Sequence, residues 1–304
     1  MQEKKFILVK AKPLISIITL NWNQTEITCQ FLESTRKLLY KHYEVLVCDM
    51  GSAADPTLQI ITGNYPNTRI LKTDPCNDNG VNWAIKQAKG DFILLINNHT
   101  ELTENTLDDL LAPFLTDKIL GVTCPKIRSK KKKNEIQYAG YNAMNKLTGR
   151  KTIIGHKKED KGQYDIPLYT HGAYSGAMMI RKSVIEQTGM LPRNFFIYFD
   201  DSDVSARILK NGYKILYQPK AVVYNRASLL PSEKSAINVY YRTRNRILFM
   251  RRNSNLLQFS IFLSFFFFLT IPATTTKFLI KRQFTHLQSF FKGIWWNVKM
   301  RAAA

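Results

Sequence analysis

Between residues 14 and 127, short apolar runs alternate with segments whose apolar residues repeat at helical spacing, and this alternation limits the possible folds most strongly. Short continuous apolar runs are typical of strands buried on both faces, which occur in parallel sheets connected by helices. The sequence therefore predicts an α/β fold with a mostly parallel sheet and helices on both faces. The predicted strands are residues 14–20, 44–48, 69–72 and 91–96.

The composition excludes a disordered chain and points to an anionic partner. Of the 304 residues, 45% are hydrophobic, and 44 Lys and Arg against 23 Asp and Glu give a formal net charge of +21. Basic clusters bind the phosphates of nucleic acids or of membrane lipids. Because these clusters flank apolar and aromatic segments, and no nucleic-acid motif accompanies them, we expect an anionic membrane surface and no nucleic acid. For residues 130–133 a solvated lysine-rich surface is an equally good interpretation.

Two features favour the reducing cytoplasm. The segment 1–12 places four lysines around only five apolar residues, too few for the core of a signal peptide. The four cysteines, at positions 29, 48, 76 and 124, are widely spaced and include no CxxC pair. A disulfide scaffold and a structural zinc site are therefore not expected.

The chain divides into two predicted parts. Residues 1–252 form the α/β domain, in which the lysine-rich segment 128–165 is expected to be an exposed basic excursion. Residues 253–304 form a C-terminal amphipathic, membrane-associating helical part. It contains an apolar stretch, 256–273, of about 18 residues, near the lower limit for crossing a bilayer. Spanning the bilayer and lying in its interface both remain open.

The polar residues that end each predicted strand are the first candidates for a site, because ligands of open α/β sheets bind at the carboxyl ends of the strands. These residues are Asn21, Asn23, Asp49, Ser52, Asn97, Asn98 and His99.

Six segments that include these residues resemble, in order, the inverting nucleotide-sugar glycosyltransferases of family 2, which have the GT-A fold. The bacterial rhamnosyltransferase-like branch is the most similar. The segments are SIITLNWN at 16–23, VLVCDMGS at 45–52, Asn82 with AKGD at 88–91, SGAMMIR at 175–181, FFIYFDDSD at 195–203 and YYRTRN at 240–245. The resemblance covers about residues 13–252. Each segment alone is unspecific, but the ordered set is specific.

The resemblance implies roles for several residues. Leu20, Asn21 and Asp49 would hold the base and ribose of a nucleotide, with Asn97 also in the nucleotide-sugar site. Asp201 aligns with the catalytic base, a carboxylate that accepts the proton of an attacking sugar hydroxyl. The alternatives are that Asp49 only ends a strand, and that the acidic run at 200–203 only favours the start of a helix.

The sequence departs from the family where a metal is expected. His99 stands at the position of an aspartate that binds a divalent metal under the diphosphate, and Asn225 stands where a histidine is common. A neutral imidazole still binds Mn²⁺, whereas Mg²⁺ prefers oxygen ligands. We therefore predict a divalent metal, Mn or Mg, with His99 as a ligand.

Two alternatives to a metal at His99 remain open. Arginines could replace the metal through bidentate contacts to phosphate, with Arg226, Arg242 and Arg244 as candidates. Otherwise His99 is a hydrogen-bonded loop residue in a protein that has lost activity.

The resemblance implies an enzyme that transfers a sugar, with inversion, from a nucleoside diphosphate donor, dTDP- or UDP-linked. The acceptor would be a lipid-linked saccharide or polysaccharide in bacterial cell-surface glycan synthesis. The expected location is the cytoplasmic face of the inner membrane, with peripheral or monotopic attachment. The alternative is a catalytically silent GT-A subunit that acts as a binding or scaffold partner at the membrane. A homo- or hetero-oligomer remains open.

Overall fold

The computed structural model describes residues 12–72, 80–132, 134–195, 197–226 and 235–302. The segment 1–11, Cys76 and Lys133, which entered the sequence analysis, lie outside the described residues.

The four predicted strands are confirmed to within one residue at each end. The first strands along the chain are β1 (Ile15–Asn21), β2 (Tyr43–Asp49), β3 (Thr68–Lys72), β4 (Phe92–Ile96), β5 (Thr100–Leu102) and β6 (Leu120–Ser129). They are followed by β7 (Glu135–Tyr138), β8 (Lys158–Glu159), β9 (Leu168–Tyr169), β10 (Ala177–Arg181) and β11 (Lys214–Asn225).

In the described chain these strands form one sheet in the order β3-β2-β1-β4-β10-β6-β11-β5, with β7, β8 and β9 added off this path. The first four strands along that order are parallel, and so is the pair β6 and β11. Strand β10 runs antiparallel between β4 and β6, so the sheet is mixed beyond β4. The reason is that the chain enters β10 at Ala177, beside Ile96 at the carboxyl end of β4. The α/β fold is confirmed, and the segment between β6 and β10 returns to the carboxyl edge of the sheet.

The helices are α1 (Thr25–Thr35), α2 (Thr57–Thr62), α3 (Gly80–Gln87), α4 (Thr106–Thr116), α5 (Lys182–Thr188) and α6 (Asp200–Lys210). They continue with α7 (Ala236–Asn253), α8 (Leu256–Phe265), a π-helical turn (Phe266–Thr270), α9 (Ile271–Ile280) and α10 (Phe284–Ala302). Helix α3 packs on β1 and β2, and α4 packs on β6 and β11. Apolar side chains between these layers form the main core, which includes Ile17, Val45, Leu94, Leu110 and Val122.

The expectation that residues 128–165 form an exposed excursion is wrong for part of this segment. Strand β7 pairs with β6, and the side chains of Ile136 and Tyr138 are fully buried in the main core. Apolar residues alternate with polar ones at strand period there, and this local signal outweighs the surrounding lysines. Residues 130–132 are exposed as expected.

The C-terminal helices form a second apolar cluster with α7. Phe262, Phe266 and Phe290 pack against Met250, and α10 crosses α7 closely. A Cβ added at Gly293 would lie 2.8 Å from the carbonyl oxygen of Tyr240, so this crossing requires glycine. The domain boundary between residues 252 and 253 stays a prediction.

Helix α8, the π-helical turn and α9 form one apolar helical segment of 25 residues, Leu256–Ile280, most of it exposed. Among the described residues it is the one helix that could cross a membrane by length and composition. It extends the apolar stretch seen in the sequence by seven residues, from 273 to 280.

Candidate active site

The carboxyl ends of β1 and β2 hold Asn21 and Asp49 side by side, because the two residues pair in the parallel register. The Asn21 Nδ2 donates to Asp49 Oδ1 at 2.8 Å, and the Ser52 hydroxyl donates to the same oxygen at 2.6 Å. The backbone N–H of Ser52 donates to Oδ2 at 3.1 Å. Both Asn21 and Asp49 are buried, whereas Leu20 beside them is 37% exposed. Together they form a fixed, polar floor with an accessible apolar side chain at its rim.

A chain of hydrogen bonds joins this floor to the end of β4. The Thr28 hydroxyl donates to Asn21 Oδ1 at 2.7 Å, and Asn98 Nδ2 donates to Thr28 Oγ1 at 3.0 Å. The neighbouring Asn97 donates through Nδ2 to the Tyr174 hydroxyl at 3.3 Å. The residues predicted from separate strand ends therefore lie on one edge of the sheet.

His99 lies next to Asn225 and Arg226, as the resemblance implied. The Arg226 N–H donates to the His99 carbonyl at 3.0 Å, and Asn225 pairs with Thr100 between β11 and β5. Burial lowers the pKa of His99, so the imidazole is neutral at pH 7. The Arg226 guanidinium lies 3.7 Å from a Glu101 carboxylate oxygen, which Lys130 also contacts at 2.8 Å.

The side chains of Asn97, Asn225 and Arg226, next to His99, do not add acidic ligands for the divalent metal that the sequence predicts there. The Asn97 amide nitrogen lies 3.5 Å from His99 Nε2, and Asn225 and Arg226 lie beside His99 through backbone contacts. Within the described ranges, no group of three or more His, Cys, Asp or Glu residues could hold a metal ion. Mg²⁺ and Mn²⁺ bind preferentially to carboxylate and other oxygen ligands. A metal at His99 therefore stays a prediction.

The acidic pair Asp200 and Asp201 begins α6 after a strained turn. Tyr198 and Phe199 both have left-handed backbone conformations, with φ of 64° and 66°. Each costs roughly 1 to 2 kcal/mol for a residue with a side chain, and such strain persists only where neighbours fix it. Asn245 on α7 does so, because its Nδ2 donates to the carbonyls of Ile197 at 2.6 Å and Tyr198 at 3.0 Å.

Asp201 is buried, and two residues of the segment between β6 and β10 fix its side chain. Its Oδ2 accepts from the Tyr141 hydroxyl at 3.2 Å and from Lys151 Nζ at 3.3 Å. The Lys151 ammonium also lies 3.4 Å from the centre of the Tyr141 ring. Burial lowers the pKa of Lys151, although the Asp201 charge opposes this change. The ammonium forms an ion pair with the Asp201 carboxylate and helps to fix its position.

The neighbouring Asp200 has a different electrostatic environment. Burial first, and the Asp201 charge second, raise its pKa to about 6. Two carboxylates this close avoid carrying charge together, so Asp200 takes up a proton in mildly acidic solution. Asp201 is therefore preferred as the candidate proton acceptor for its contacts with Tyr141 and Lys151 and not for this pKa difference.

The sequence analysis missed Tyr141 and Lys151. They lie 60 and 50 residues before Asp201, and Lys151 belongs to a basic cluster that composition assigns to the surface. Only the return of the chain to the carboxyl edge brings them to α6. The alternation of apolar residues around Tyr138 was the one available signal that this segment is not entirely exposed.

The expectation that Arg244 binds phosphate needs correction. Its Nη2 donates to the Asn194 carbonyl at 2.6 Å, its Nε donates to Asn245 Oδ1 at 2.8 Å, and its guanidinium lies 4.7 Å from the Trp296 ring centre. The side chain is buried, and these contacts connect α7 and α10 to the loop before α6. Arg242, in contrast, lies 5.0 Å from the ring centre of Tyr198, close to the acidic pair.

Comparison with known proteins is consistent with this architecture. A sequence profile of glycosyl transferase family 2 matches residues 16–189, more than half of the chain. Protein y4gI of Sinorhizobium fredii is 24% identical over 260 residues, which cover 80% of this chain and 28% of that protein. The chain thus spans little more than a quarter of that relative's length.

Two further relatives are named as rhamnosyltransferases. The O-antigen chain rhamnosyltransferase WbaN of Salmonella anatum is 23% identical, covering 73% of this chain and 67% of that one. The N-acetylglucosaminyl-diphospho-decaprenol L-rhamnosyltransferase of Mycobacterium tuberculosis is 24% identical, covering 64% of this chain and 70% of that one.

Solved structures share the fold. The mannosyltransferase PcManGT of Pyrobaculum calidifontis, in complex with GDP-Man and Mn²⁺, aligns with a TM-score of 0.58 over 94% of this chain and 87% of that one, at 13% identity. Residues 1–349 of S. aureus TarS, in complex with UDP-GlcNAc, align with a TM-score of 0.57 over 92% and 80%, at 18% identity.

Proposed function

This chain belongs to glycosyl transferase family 2, and from that premise we propose that it is an inverting sugar transferase of bacterial cell-surface glycan synthesis. The donor is a sugar linked to dTDP or UDP, as in the rhamnosyltransferase-like branch. The acceptor is a lipid-linked saccharide or polysaccharide. The observation that carries the proposal is the buried Asp201, fixed by Tyr141 and Lys151 next to the polar edge of the sheet.

The donor would bind along that polar edge. Leu20, Asn21 and Asp49 hold the base and ribose, since the Asp49 carboxylate already has a fixed orientation and accepts polar hydrogens. The diphosphate lies towards Asn97 and Arg226, and Arg242 supplies a further cation beside the acidic pair. Guanidinium groups bind phosphate oxygens in bidentate fashion, which compensates for missing metal ligands.

The reaction would be one displacement at the anomeric carbon. A hydroxyl oxygen of the acceptor attacks that carbon from the face opposite the diphosphate, and the bond between the carbon and the diphosphate oxygen breaks. The hydroxyl proton passes to Asp201. Attack from the opposite face inverts the anomeric centre, and a positioned base contributes on the order of 10² to 10⁴ in rate.

A turnover assay tests this proposal. The full chain is incubated with dTDP- and UDP-sugars and a short polyprenyl-linked saccharide, and release of nucleoside diphosphate is measured. Product that forms only with both substrates, and carries an inverted linkage by NMR, supports the transferase. Nucleotide binding without turnover on any donor would instead favour the silent subunit.

His99→Asp separates a metal from arginines as partners of the diphosphate. Without metal, the new carboxylate would lie beside the phosphates and should weaken nucleotide binding. With Mg²⁺ it adds the hard oxygen ligand that the site lacks and should strengthen binding. Calorimetry with UDP and dTDP, with and without Mg²⁺, measures both changes. Unchanged affinity in both conditions would mean that His99 does not face the diphosphate.

Membrane attachment would come from the apolar segment Leu256–Ile280 together with the basic surface. Phe267 and Phe268 on this segment are 63% and 71% exposed, so both can be changed without opening the core. We propose attachment at the cytoplasmic face, where anionic lipid attracts the net positive charge.

Binding to anionic vesicles should survive 1 M salt in the unchanged protein, since apolar burial is not screened by salt. The double variant Phe267→Asp and Phe268→Asp should lose this salt-resistant binding in a flotation assay. Leu58→Asp, which changes a 74% exposed side chain on α2, is the matched control and should bind like the original. Release of the unchanged protein by salt would show that only the basic residues hold it.

A further inference from the structure

Arg150 and Arg246 lie near each other, since a Cβ on the adjacent Gly149 would lie 3.3 Å from Arg246 Cγ, and within the described residues neither forms an ion pair with a carboxylate. Arg246 on α7 is only 7% exposed, and its Nε is buried without a hydrogen-bond partner in the described part of the chain. Burial first, and the charge of Arg150 second, lower the pKa of Arg246 to about 9. A buried guanidinium normally has its N–H groups paired, so this one calls for an anion.

The loop that carries Arg150 is fixed against α7 and α8. Gly149 has a left-handed φ of 60°, and a Cβ there would lie 2.9 Å from Met250 Cγ and 3.0 Å from Phe262 Cε2. Lys146 Nζ also donates to the Asn253 carbonyl at 3.1 Å. Two like charges are therefore held together by packing.

The pair lies between the acidic pair and the apolar segment. Arg150 directly precedes Lys151, which contacts Asp201. On the other side, the Arg246 guanidinium lies 5.6 Å from the Phe262 ring centre and 5.2 Å from that of Phe266, both in Leu256–Ile280. Both rings are buried, so a phosphate bound here would lie between the packed face of the apolar segment and the proton acceptor.

We propose that Arg150 and Arg246 bind the phosphate of a lipid-linked acceptor and so present its sugar hydroxyl to Asp201. The inference rests on the proposed function and adds the acceptor site to it. A phosphate with two or more negative charges neutralises both guanidinium groups and accepts the buried Nε hydrogen. The donor diphosphate is placed elsewhere, at Asn97 and Arg226, so the two anions have separate sites.

The test measures binding of farnesyl diphosphate, inorganic pyrophosphate and UDP to the full chain in micelles of an uncharged detergent. Arg150→Gln and Arg246→Gln should each weaken farnesyl diphosphate binding by about ten-fold or more, as expected for loss of a charged hydrogen-bond partner. UDP affinity should stay within about two-fold. Lys299→Gln on α10 makes the same charge change at an exposed site and should leave all three affinities unchanged.

The possible results are distinct. If the variants weaken the binding of UDP and of farnesyl diphosphate equally, the arginines belong to the donor site. If the affinity for farnesyl diphosphate is unchanged, the arginines have only a packing role. Either result overturns the inference. Pyrophosphate binding as tightly as farnesyl diphosphate would exclude the lipid. Since Arg150 is exposed, Arg150→Gln remains informative if Arg246→Gln does not fold. If the unchanged protein binds farnesyl diphosphate but neither UDP nor dTDP, the proposed function is contradicted and this anion site is not.

Discussion

Asp201→Asn is expected to slow sugar transfer by about two orders of magnitude or more, while nucleotide affinity stays within about two-fold of the original. The amide keeps the shape of the side chain and can still accept from Tyr141, but it cannot take up the proton of the acceptor hydroxyl. It also removes the partner of the Lys151 ammonium. The measurement is single-turnover transfer at saturating donor, with UDP affinity from calorimetry.

The control for this change is Asp203→Asn, two residues further along α6. Asp203 is also buried but pairs with Arg207 at 3.1 Å and Arg252 at 3.5 Å, and not with Tyr141 or Lys151. Its loss should lower the melting temperature and leave the rate per folded molecule nearly unchanged. A comparable rate in Asp201→Asn would exclude Asp201 as the base, and an equal loss of rate in both variants would point to general damage of α6.

The placement of Asp201 depends on contacts far apart in the chain. Helix α7 contributes Asn245, which fixes the strained turn at Tyr198 and Phe199, and Arg244, which holds the loop at Asn194. Two residues of the segment YYRTRN, Arg244 and Asn245, therefore hold the loop that positions Asp201. We infer that its resemblance to the family reflects support of the acidic pair as much as contact with a ligand.

The elements that could be predicted from sequence are those with a local signal. The strands that end at Asn21, Asp49 and Ile96 follow from continuous apolar runs, and their parallel pairing places the polar end residues on one edge. Composition and periodicity carry this information within a few residues of each position. The sheet edge at which we propose that the donor binds could therefore be predicted from the sequence.

The contacts that could not be predicted join distant segments. Lys151 reaches Asp201 only because the chain returns to the carboxyl edge before β10, and no pattern near Lys151 encodes that path. Arg244 and Arg242 look equivalent in the sequence, yet residues two apart point to different sides of a helix. One is buried against Trp296 and the other lies beside Tyr198. The residue type indicated that each arginine could bind an anion, but only the packing of α7 decided which way each side chain points.

Asp49→Ala is expected to weaken nucleotide binding by about 1 to 3 kcal/mol, or about 5- to 150-fold in Kd. In the proposed site the carboxylate accepts hydrogen bonds from the base or ribose, and these groups would lose their partner. The variant also leaves Asn21 Nδ2 and the Ser52 N–H without the carboxylate, so some loss of stability accompanies the loss of affinity. Calorimetry with UDP and dTDP, on protein shown to be folded by its melting curve, measures the affinity.

Ser52→Ala separates the two effects of the Asp49 change. It removes the hydroxyl that donates to Asp49 Oδ1 at 2.6 Å, yet leaves the carboxylate itself and its bond from Asn21 in place. It should therefore lower stability with little change in nucleotide affinity. If Asp49→Ala binds UDP and dTDP as tightly as the original, Asp49 only orders the strand ends, and the nucleotide site must lie elsewhere. If Ser52→Ala weakens binding as much as Asp49→Ala, it is the rigidity of this floor that the nucleotide requires, because a carboxylate that can rotate loses the orientation on which its hydrogen bonds depend.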